Sequence, residues 1–233
     1  MKRYAQTRLF EKSDAKQDVI NTRKKAKTLD ISTNNEQNFI QLEMSQAQVY
    51  YYPSIFSLQD CLKYYSGLAS LPYWSRPVFK IFGRQANAAR LTCSFGSTPD
   101  KVYRYSGTAA KVDSIEYPPS IKIIQDKIES ILDTKFNFVL LNWYQNGNDY
   151  IGAHSDDEGG LVPQGVIACV SFGAPRTFKF QNKSDKKLVN KIVLENGSLI
   201  VMKGTTQQFW KHLIPKEKII KDGRISLTFR QLK

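Results

Sequence analysis

The residues best suited to metal chemistry are the only two histidines of the chain, His154 and His212. His154 stands two residues before Asp156, and side chains two apart on an extended strand point to the same face. His154 and Asp156 can therefore bind one metal ion together, and His212 becomes the third ligand if the preceding strand pair returns across the sheet. Two imidazoles and one carboxylate are typical of non-haem Fe(II) sites that keep positions open for a co-substrate and O₂.

The last predicted strand alternates polar and apolar residues, reading Arg-Ile-Ser-Leu-Thr-Phe-Arg over residues 224–230. Taken alone, this pattern favours a half-exposed antiparallel strand with a basic residue at each end. The alternative is a pocket in which Arg224 and Arg230 clamp a small dianion, because guanidinium groups bind carboxylates with fixed geometry. Asn142 and Tyr144 share one face of an earlier strand and could donate hydrogen bonds to the same ligand. An iron site beside a dicarboxylate clamp indicates a 2-oxoglutarate oxygenase.

These side chains must be carried largely by short strands. Stretches rich in β-branched and aromatic residues predict strands over 135–144, 166–172, 176–181, 188–194, 198–203 and 224–230. Asn196 and Gly197 lie between two of these strands and predict a hairpin turn. Helices are predicted after Ser57, as an N-cap, and after Pro118 and Pro119, where apolar residues recur at helical spacing. The pattern predicts an α+β protein with a double-sheet core and helices packed outside.

Composition limits the class of partner. The 233 residues include 34 Lys and Arg against 21 Asp and Glu, a net charge of +13, which favours nucleic acid as a partner over charge that serves solubility alone. No stretch approaches the roughly 20 apolar residues of a membrane helix. The three cysteines form no CxxC pair, so neither disulfides nor a zinc ribbon is expected. Residues 1–37 predict a disordered basic tail, whose cluster at 23–27 is an import signal, a phosphate-binding arm or simply solvated.

Longer stretches of the sequence are similar to a known family. FNFVLLNWYQNGNDYIGAHSDDE, VSFGAPRTFKF and RISLTFR resemble the AlkB family of Fe(II)/2-oxoglutarate-dependent nucleic-acid dealkylases, and most closely its eukaryotic branch that repairs double-stranded DNA. The resemblance covers about residues 50–233 and implies a double-stranded β-helix, or jelly-roll, core with a nucleotide-recognition lid. It implies one dioxygenase domain over 38–233, with the lid in about 50–118 and the catalytic core in about 135–233.

The resemblance also assigns the ligands of the catalytic site. His154, Asp156 and His212 fall on the family's iron ligands. Its 2-oxoglutarate contacts fall on Asn142, Tyr144, Arg224, Ser226, Thr228 and Arg230. Ser226 departs from the family pattern, which commonly has Asn there, so we expect an altered affinity for the co-substrate rather than its loss.

On the nucleic-acid side, the resemblance implies substrate contacts in three groups: Phe82, Gly83 and Arg84 in a hairpin finger; Tyr103, Arg104 and Tyr105 along the base pocket; and Asp157 and Glu158 near the damaged base. Phe82 would be the aromatic wedge that fills the gap left by a flipped nucleotide. The alternative places Phe82 in a core strand, since its neighbours are strand-like. Tyr105 would stack on the base opposite His154.

Two basic stretches are candidates for contact with DNA. Residues 79–111 carry an excess of basic residues, Arg90 among them. Residues 176–191 carry Arg176 and several lysines, which could grip the backbone of the opposite strand or form a solvated hairpin.

The implied activity is oxidative demethylation of alkylated bases such as 1-methyladenine and 3-methylcytosine in DNA, with formaldehyde, succinate and CO₂ as products. The implied cofactors are Fe(II), 2-oxoglutarate and O₂, with ascorbate as the reductant in vitro. The alternatives are an RNA or single-stranded DNA demethylase, a non-catalytic nucleic-acid-binding module and a protein hydroxylase. We also expect a monomer in the nucleus with no membrane association. A contact to a replication clamp through the N-terminal tail is a further expectation.

Overall fold

The computed structural model describes residues 39–81, 84–96, 103–105, 108–110 and 117–233. In chain order the elements are β1 (Ile40–Gln41), β2 (Gln48–Tyr52), α1 (Leu58–Ala69), β3 (Val78–Ile81), β4 (Arg84–Asn87), β5 (Leu91–Gly96), β6 (Tyr103–Tyr105), β7 (Thr108–Ala110), α2 (Pro119–Leu132), β8 (Phe138–Tyr144), β9 (Ile151–His154), β10 (Ile167–Gly173), β11 (Arg176–Asn182), β12 (Val189–Leu194), β13 (Leu199–Lys203), α3 (Thr206–Phe209), β14 (Trp210–Ile214) and β15 (Arg224–Arg230). The predicted tail over residues 1–37 lies outside the described residues.

Two antiparallel sheets hold most of these strands. The large sheet has the order β1-β2-β13-β10-β15-β8-β5, and the small sheet has the order β12-β11-β14-β9. Strands β15 and β8 are adjacent in the large sheet, so Arg224 lies opposite Tyr144 and Ser226 lies opposite Asn142. This register brings the two predicted co-substrate strands side by side.

Both faces of β15 are buried. Its apolar residues Ile225, Leu227 and Phe229 belong to a core between the large sheet and the helices. Arg224 and Arg230 point to the other face, where they are only 1% and 4% exposed. The half-exposed strand that the alternation alone favours is therefore wrong, and Arg224 and Arg230 instead line a buried pocket.

The helices cover the outer face of the large sheet. Ser57 caps α1, because its Oγ accepts a hydrogen bond from the backbone N of Asp60 at 3.1 Å. Pro119 is the first residue of α2, and the fixed φ of proline suits the first turn of a helix. The buried face of α2 carries Ile121, Ile124 and Ile128 at helical spacing, and burial of each such side chain contributes about 1.5–3 kcal/mol. Both helices begin where the sequence predicts them.

A second apolar core fills the space between the two sheets. Phe180 and Trp210 of the small sheet pack with Cys169, Ile200 and Met202 of the large sheet. The sheets are thus held face to face, as in a jelly-roll. The catalytic residues described below lie in this same space.

The turn at Asn196 and Gly197 does not close a hairpin. The strand before it, β12, pairs with β11 in the small sheet, whereas β13 pairs with β10 and β2 in the large sheet. Gly197 has a φ of +76°, and a Cβ there would lie 2.7 Å from Sγ of Cys61 in α1. The turn carries the chain from one sheet to the other, so the hairpin prediction is wrong.

Two small hairpins precede α2. Strands β3 and β4 pair with each other, as do β6 and β7. Phe82 and Gly83, predicted at the tip of the first hairpin, lie outside the described residues. None of the described helices is long and apolar enough to cross a membrane.

Candidate metal centre and co-substrate pocket

The two histidines meet because β14 pairs with β9. His212 is the cross-strand partner of His154, and their ring centroids are 4.2 Å apart. The ring of His212 also stacks on Phe178, with centroids 5.3 Å apart and planes inclined by 16°. Sheet register therefore brings together two side chains that are far apart in sequence, and an aromatic neighbour fixes the orientation of one of them.

Asp156 completes the group just beyond the end of β9. Its Oδ1 lies 3.6 Å from Nε2 of His154 and 3.9 Å from Nε2 of His212, and the three ligand atoms all lie within 4.8 Å of one another. The backbone N of Asp156 donates to Oε1 of Gln207 at 3.0 Å, which fixes the irregular backbone after the strand. Asp156 thus shares a metal site with His154 without belonging to the same strand.

Arg230 donates hydrogen bonds to Oδ2, the carboxylate oxygen of Asp156 that does not face the histidines. Its Nη2 and Nε donate to Oδ2 at 2.6 and 3.1 Å, so Oδ1 remains turned toward the two histidines. Burial alone would raise the pKa of Asp156, but the charge of Arg230 holds that pKa well below its usual range. The carboxylate is therefore ionised, as a metal ligand must be.

The two histidines are neutral because burial disfavours their protonated form. Burial and the neighbouring His154 lower the pKa of His212 to about 3, and burial also lowers the pKa of His154. Nδ1 of His154 lies 2.9 Å from the carbonyl oxygen of Gly152, which can only accept, so Nδ1 carries the proton. The lone pair is left on Nε2, the nitrogen that faces Asp156.

A cavity adjoins the three ligands. It is lined by Arg90, Leu140, Asn142, Tyr144, Ile151, His154, Asp156, Cys169, Phe178, Met202, His212, Ile214, Arg224, Ser226, Thr228 and Arg230. The structure therefore brings together all nine residues predicted from sequence as metal ligands or 2-oxoglutarate contacts.

Arg224 is the strongest sign of what the cavity holds. Its Nη2 donates to Oγ of Ser171 at 2.9 Å, whereas its buried Nε and Nη1 have no hydrogen-bond partner among the described residues. A buried cation with open donors is costly unless a ligand satisfies it. Open guanidinium donors suit a carboxylate of a dicarboxylic acid.

Tyr144 lies between two guanidinium groups. The Cζ atoms of Arg224 and Arg176 lie 5.3 and 5.5 Å from its ring centroid. Burial raises the pKa of Tyr144, so the hydroxyl keeps its proton and can donate a hydrogen bond within the cavity.

Arg90 belongs to the pocket although the sequence groups it with the basic residues expected to lie against DNA. It is only 5% exposed, and its Nε donates to Oδ1 of Asn142 at 2.5 Å. No local pattern marks this arginine as buried, because it stands in an irregular segment after a short strand. A basic residue flanked by small and apolar residues in Ala-Ala-Arg-Leu was the only available signal.

The predicted substrate contacts are only partly described. Asp157 and Glu158 line a second cavity of about 310 Å³ that Asp156 and Arg230 also line. Oδ2 of Asp157 accepts a hydrogen bond from Nζ of Lys183 at 3.0 Å. The side chains of Arg84, Tyr103, Arg104 and Tyr105 lie outside the described part of the structure, although their backbones form β4 and β6.

Arg176 is not available to a DNA backbone. It is 1% exposed, and its Nε donates to Glu217 at 3.0 Å while Nη2 donates to the carbonyl oxygens of Asp149 and Pro215 at 2.8 and 2.6 Å. Its place in the second basic stretch is therefore wrong. Arg176 instead joins the loops that follow β8 and β14.

Comparison with known proteins identifies the class of enzyme. A family model described as the 2OG-Fe(II) oxygenase superfamily matches residues 48–230, and the chain therefore belongs to that superfamily. The ligand set fits the group, because two neutral imidazoles and one carboxylate are a donor set for Fe(II) and the open donors of Arg224 suit a carboxylate of 2-oxoglutarate.

The relatives with curated names that the chain resembles come from eukaryotes and include DNA oxidative demethylases and an alkB homolog. The DNA oxidative demethylase ALKBH2 of Arabidopsis thaliana is 36% identical over 180 residues, covering 67% of this chain and 57% of the relative. ALKBH2 of Homo sapiens is 34% identical, covering 66% and 60%. The human alpha-ketoglutarate-dependent dioxygenase alkB homolog 3 is 37% identical, covering 60% and 51%. The matched part spans between half and three fifths of these relatives.

A solved structure supports the fold. "The structure of OsALKBH1" superposes with a TM-score of 0.55 and 17% sequence identity, covering 78% of this chain and 97% of that one. At this identity the likeness supports the jelly-roll architecture alone.

Proposed function

We propose that the chain demethylates alkylated bases of the 1-methyladenine and 3-methylcytosine type in DNA, with double-stranded DNA as its main substrate. One observation carries the proposal: the His154–Asp156–His212 group and the open guanidinium of Arg224 share one cavity. The relatives named DNA oxidative demethylase supply the substrate class.

The chemistry divides between the bound groups and the protein. Fe(II) and 2-oxoglutarate, when bound, supply O₂-dependent oxidation of an N-methyl group, with formaldehyde, succinate and CO₂ as products. His154, Asp156 and His212 would hold the metal, and Arg224 would orient the distal carboxylate of the co-substrate. Arg230 keeps Oδ2 of Asp156 occupied so that one oxygen faces the metal site. The protein contributes geometry and electrostatics, which is its usual share in such enzymes.

The acidic residues near the site suit a cationic base. Methylation at N1 of adenine or N3 of cytosine adds a positive charge, which is attracted to carboxylates more strongly away from bulk water. Asp157 and Glu158 follow the metal ligand Asp156 directly and line the second cavity. We propose that they contact the damaged base, together with Tyr105 as a stacking face.

The preference for duplex depends on the finger. Strands β3 and β4 pair up to Ile81 and Arg84, which are the neighbours of Phe82 and Gly83 in the sequence. An aromatic wedge there would offset the unstacking of a duplex, which costs a few kcal/mol per step. A wedge has no such use on an unpaired strand, which makes RNA or single-stranded DNA the second candidate.

A non-catalytic binding module is the weaker alternative. A scaffold that had lost catalysis would have no need for three metal ligands in their ligating protonation states or for a buried arginine with open donors. Both features are present.

The decisive experiment supplies the protein with Fe(II), 2-oxoglutarate and ascorbate. Single- and double-stranded oligonucleotides of one sequence, each carrying one 1-methyladenine, are followed by mass for loss of the methyl group. We expect loss from both and faster loss from the duplex. The Asp156→Ala variant is the matched control. No loss from either substrate, with succinate formed at the rate seen without DNA, would contradict the proposal.

We also propose that the protein acts as a monomer in the nucleus, in keeping with a substrate of nuclear DNA. The basic cluster at residues 23–27 supports import, and the first residues bear a faint similarity to clamp-binding segments. A fluorescent fusion with and without the cluster tests the import signal, and pull-down with the replication clamp tests the contact.

A further inference from the structure

Arg90 binds Asn142, the one side chain with an amide among the described residues that line the co-substrate pocket. Its guanidinium donates from Nε to Oδ1 of Asn142 at 2.5 Å, and both residues are buried and line the cavity. A guanidinium has donors and no acceptor, so this contact admits only one orientation of the amide. The oxygen must face Arg90, and the NH₂ group is the part that Asn142 can offer to a ligand.

The backbone before Arg90 is anchored by hydrogen bonds, and β5, which pairs with β8, begins directly after it. The carbonyl oxygen of Ala88 accepts from Nη1 of Arg76 at 3.2 Å, and the carbonyl oxygen of Ala89 accepts from the backbone N of Tyr150 at 3.3 Å. The backbone N of Ala88 donates to the carbonyl oxygen of Pro77 at 2.8 Å. Arg90 is therefore held at a fixed position relative to β8, where Asn142 lies.

Ser226 makes the orientation of Asn142 more consequential. The two residues are cross-strand neighbours on the cavity wall, and Ser226 has a short hydroxyl side chain. It reaches less far into the cavity than an amide would, so a carboxylate bound there depends more on the NH₂ group of Asn142.

We infer that Arg90 is a positioning residue for 2-oxoglutarate, which acts by orienting the amide of Asn142 so that its NH₂ group donates to the co-substrate. The inference rests on the 2-oxoglutarate chemistry of the superfamily and is independent of DNA as the substrate. A chain that binds 2-oxoglutarate and leaves methylated DNA unchanged would contradict the proposed function and leave this inference standing.

The test measures the affinity for 2-oxoglutarate by calorimetry, with Mn(II) in place of Fe(II) so that no turnover occurs. Arg90→Met removes the donor and should weaken binding about tenfold, as expected for one lost hydrogen bond of a charged group. Arg90→Lys keeps a charged donor and should recover part of the affinity. With Fe(II), Arg90→Met should raise the KM for 2-oxoglutarate and change kcat little. Lys122→Met is the matched control, since Lys122 is an exposed cation of α2 that pairs with Asp126 and does not line the cavity, and it should bind like the wild type.

A double variant separates action through Asn142 from direct contact. In the Asn142→Ala background the further change Arg90→Met should have no additional effect on affinity. Binding of Mn(II) alone and the thermal melting point report on folding, and Arg90→Lys provides the comparison if Arg90→Met melts early. Wild-type affinity in both Arg90 variants, or effects of Arg90→Met and Asn142→Ala that add, would overturn the inference.

Discussion

His154 and His212 are cross-strand partners, with ring centroids 4.2 Å apart. Because β9 and β14 are neighbours in the small sheet, the spacing of these rings is set by strand pairing and not by a flexible loop. Asp156 supplies a third ligand atom within the same few ångströms.

Removal of one ligand should stop catalysis without removing nucleic-acid binding. His154→Ala or Asp156→Ala should abolish succinate formation, because neither variant keeps the complete ligand set. The affinity for duplex DNA should stay close to that of the wild type, since the charged surface is unchanged. Both are measured on the same preparation, and undiminished turnover in either variant would refute the metal assignment.

Replacement of Arg230 should lower the affinity for the metal ion even when no 2-oxoglutarate is present. Arg230→Met removes both hydrogen bonds to Oδ2 of Asp156, so the carboxylate loses the partner that turns Oδ1 toward the histidines. We expect the affinity for Mn(II), measured without 2-oxoglutarate, to fall by about 10–100-fold, the usual effect of losing such a supporting contact. An unchanged affinity for Mn(II) would show that Asp156 is oriented by its backbone alone.

Arg224 should affect the co-substrate and leave the metal unaffected. Arg224→Met removes the two open buried donors, and the affinity for 2-oxoglutarate should fall by at least about tenfold. Arg224→Lys should recover only part of this affinity, because an ammonium keeps the charge but not the planar, fixed set of guanidinium donors. If Arg224→Met binds 2-oxoglutarate with the affinity of the wild type, Arg224 does not bind the co-substrate.

Glu217 should make stability depend on pH at the acidic end. Burial would raise its pKa, but hydrogen bonds from Thr177 and Arg176 outweigh burial and lower the pKa below the ordinary 4.5. The ionised carboxylate therefore stabilises the fold above pH 4.5, and this contribution is lost as the pH falls through the depressed value. Glu217→Gln should lower the free energy of unfolding by about 1–3 kcal/mol at pH 7.

Chemical denaturation at several pH values checks this expectation. The difference between wild type and Glu217→Gln should shrink below pH 4.5, where the wild-type carboxylate also becomes neutral. The exposed Glu43 gives a control, because Glu43→Gln should leave the free energy of unfolding nearly unchanged. A difference that stayed constant down to pH 2 would argue against an ionic origin.

Phe82 separates duplex from single-stranded substrates. Phe82→Ala should slow repair of 1-methyladenine in a duplex more than in a single strand, because only the duplex needs a wedge to replace the flipped nucleotide. The two substrates are compared by the rate of methyl loss under one set of conditions. If Phe82→Ala slowed repair of both substrates equally, Phe82 would be a core strand residue and not a wedge.

Local patterns predicted much of the site. His154 and Asp156 are two residues apart, and Arg224 and Arg230 lie on one alternating strand, so short spacings were sufficient to group them. The alternation could not tell a half-exposed strand from one buried on both faces, since that depends on which layers pack against it. The small sheet over the polar face of β15 decides this question.

Long-range features were less accessible. Strand β14 was not predicted, because Trp210–Ile214 is short and follows directly on a single helical turn. The turn at Gly197 has a hairpin composition, yet the strands on its two sides pair in different sheets, which depends on partners far away in the sequence. The burial of Arg90 and Arg176 also depends on distant partners, which no local pattern reveals.

The metal ligands and the co-substrate donors belong to different layers of the protein. His154 and His212 lie in the small sheet, whereas Asn142, Tyr144 and Arg224 lie in the large one. The metal ion and 2-oxoglutarate would therefore meet in the gap between the sheets. Side chains such as Phe180 and Met202, which take no part in the reaction, maintain the width of this gap. A protein whose layers slid slightly apart on warming would still bind each small molecule, yet it would lose turnover before it lost its secondary structure.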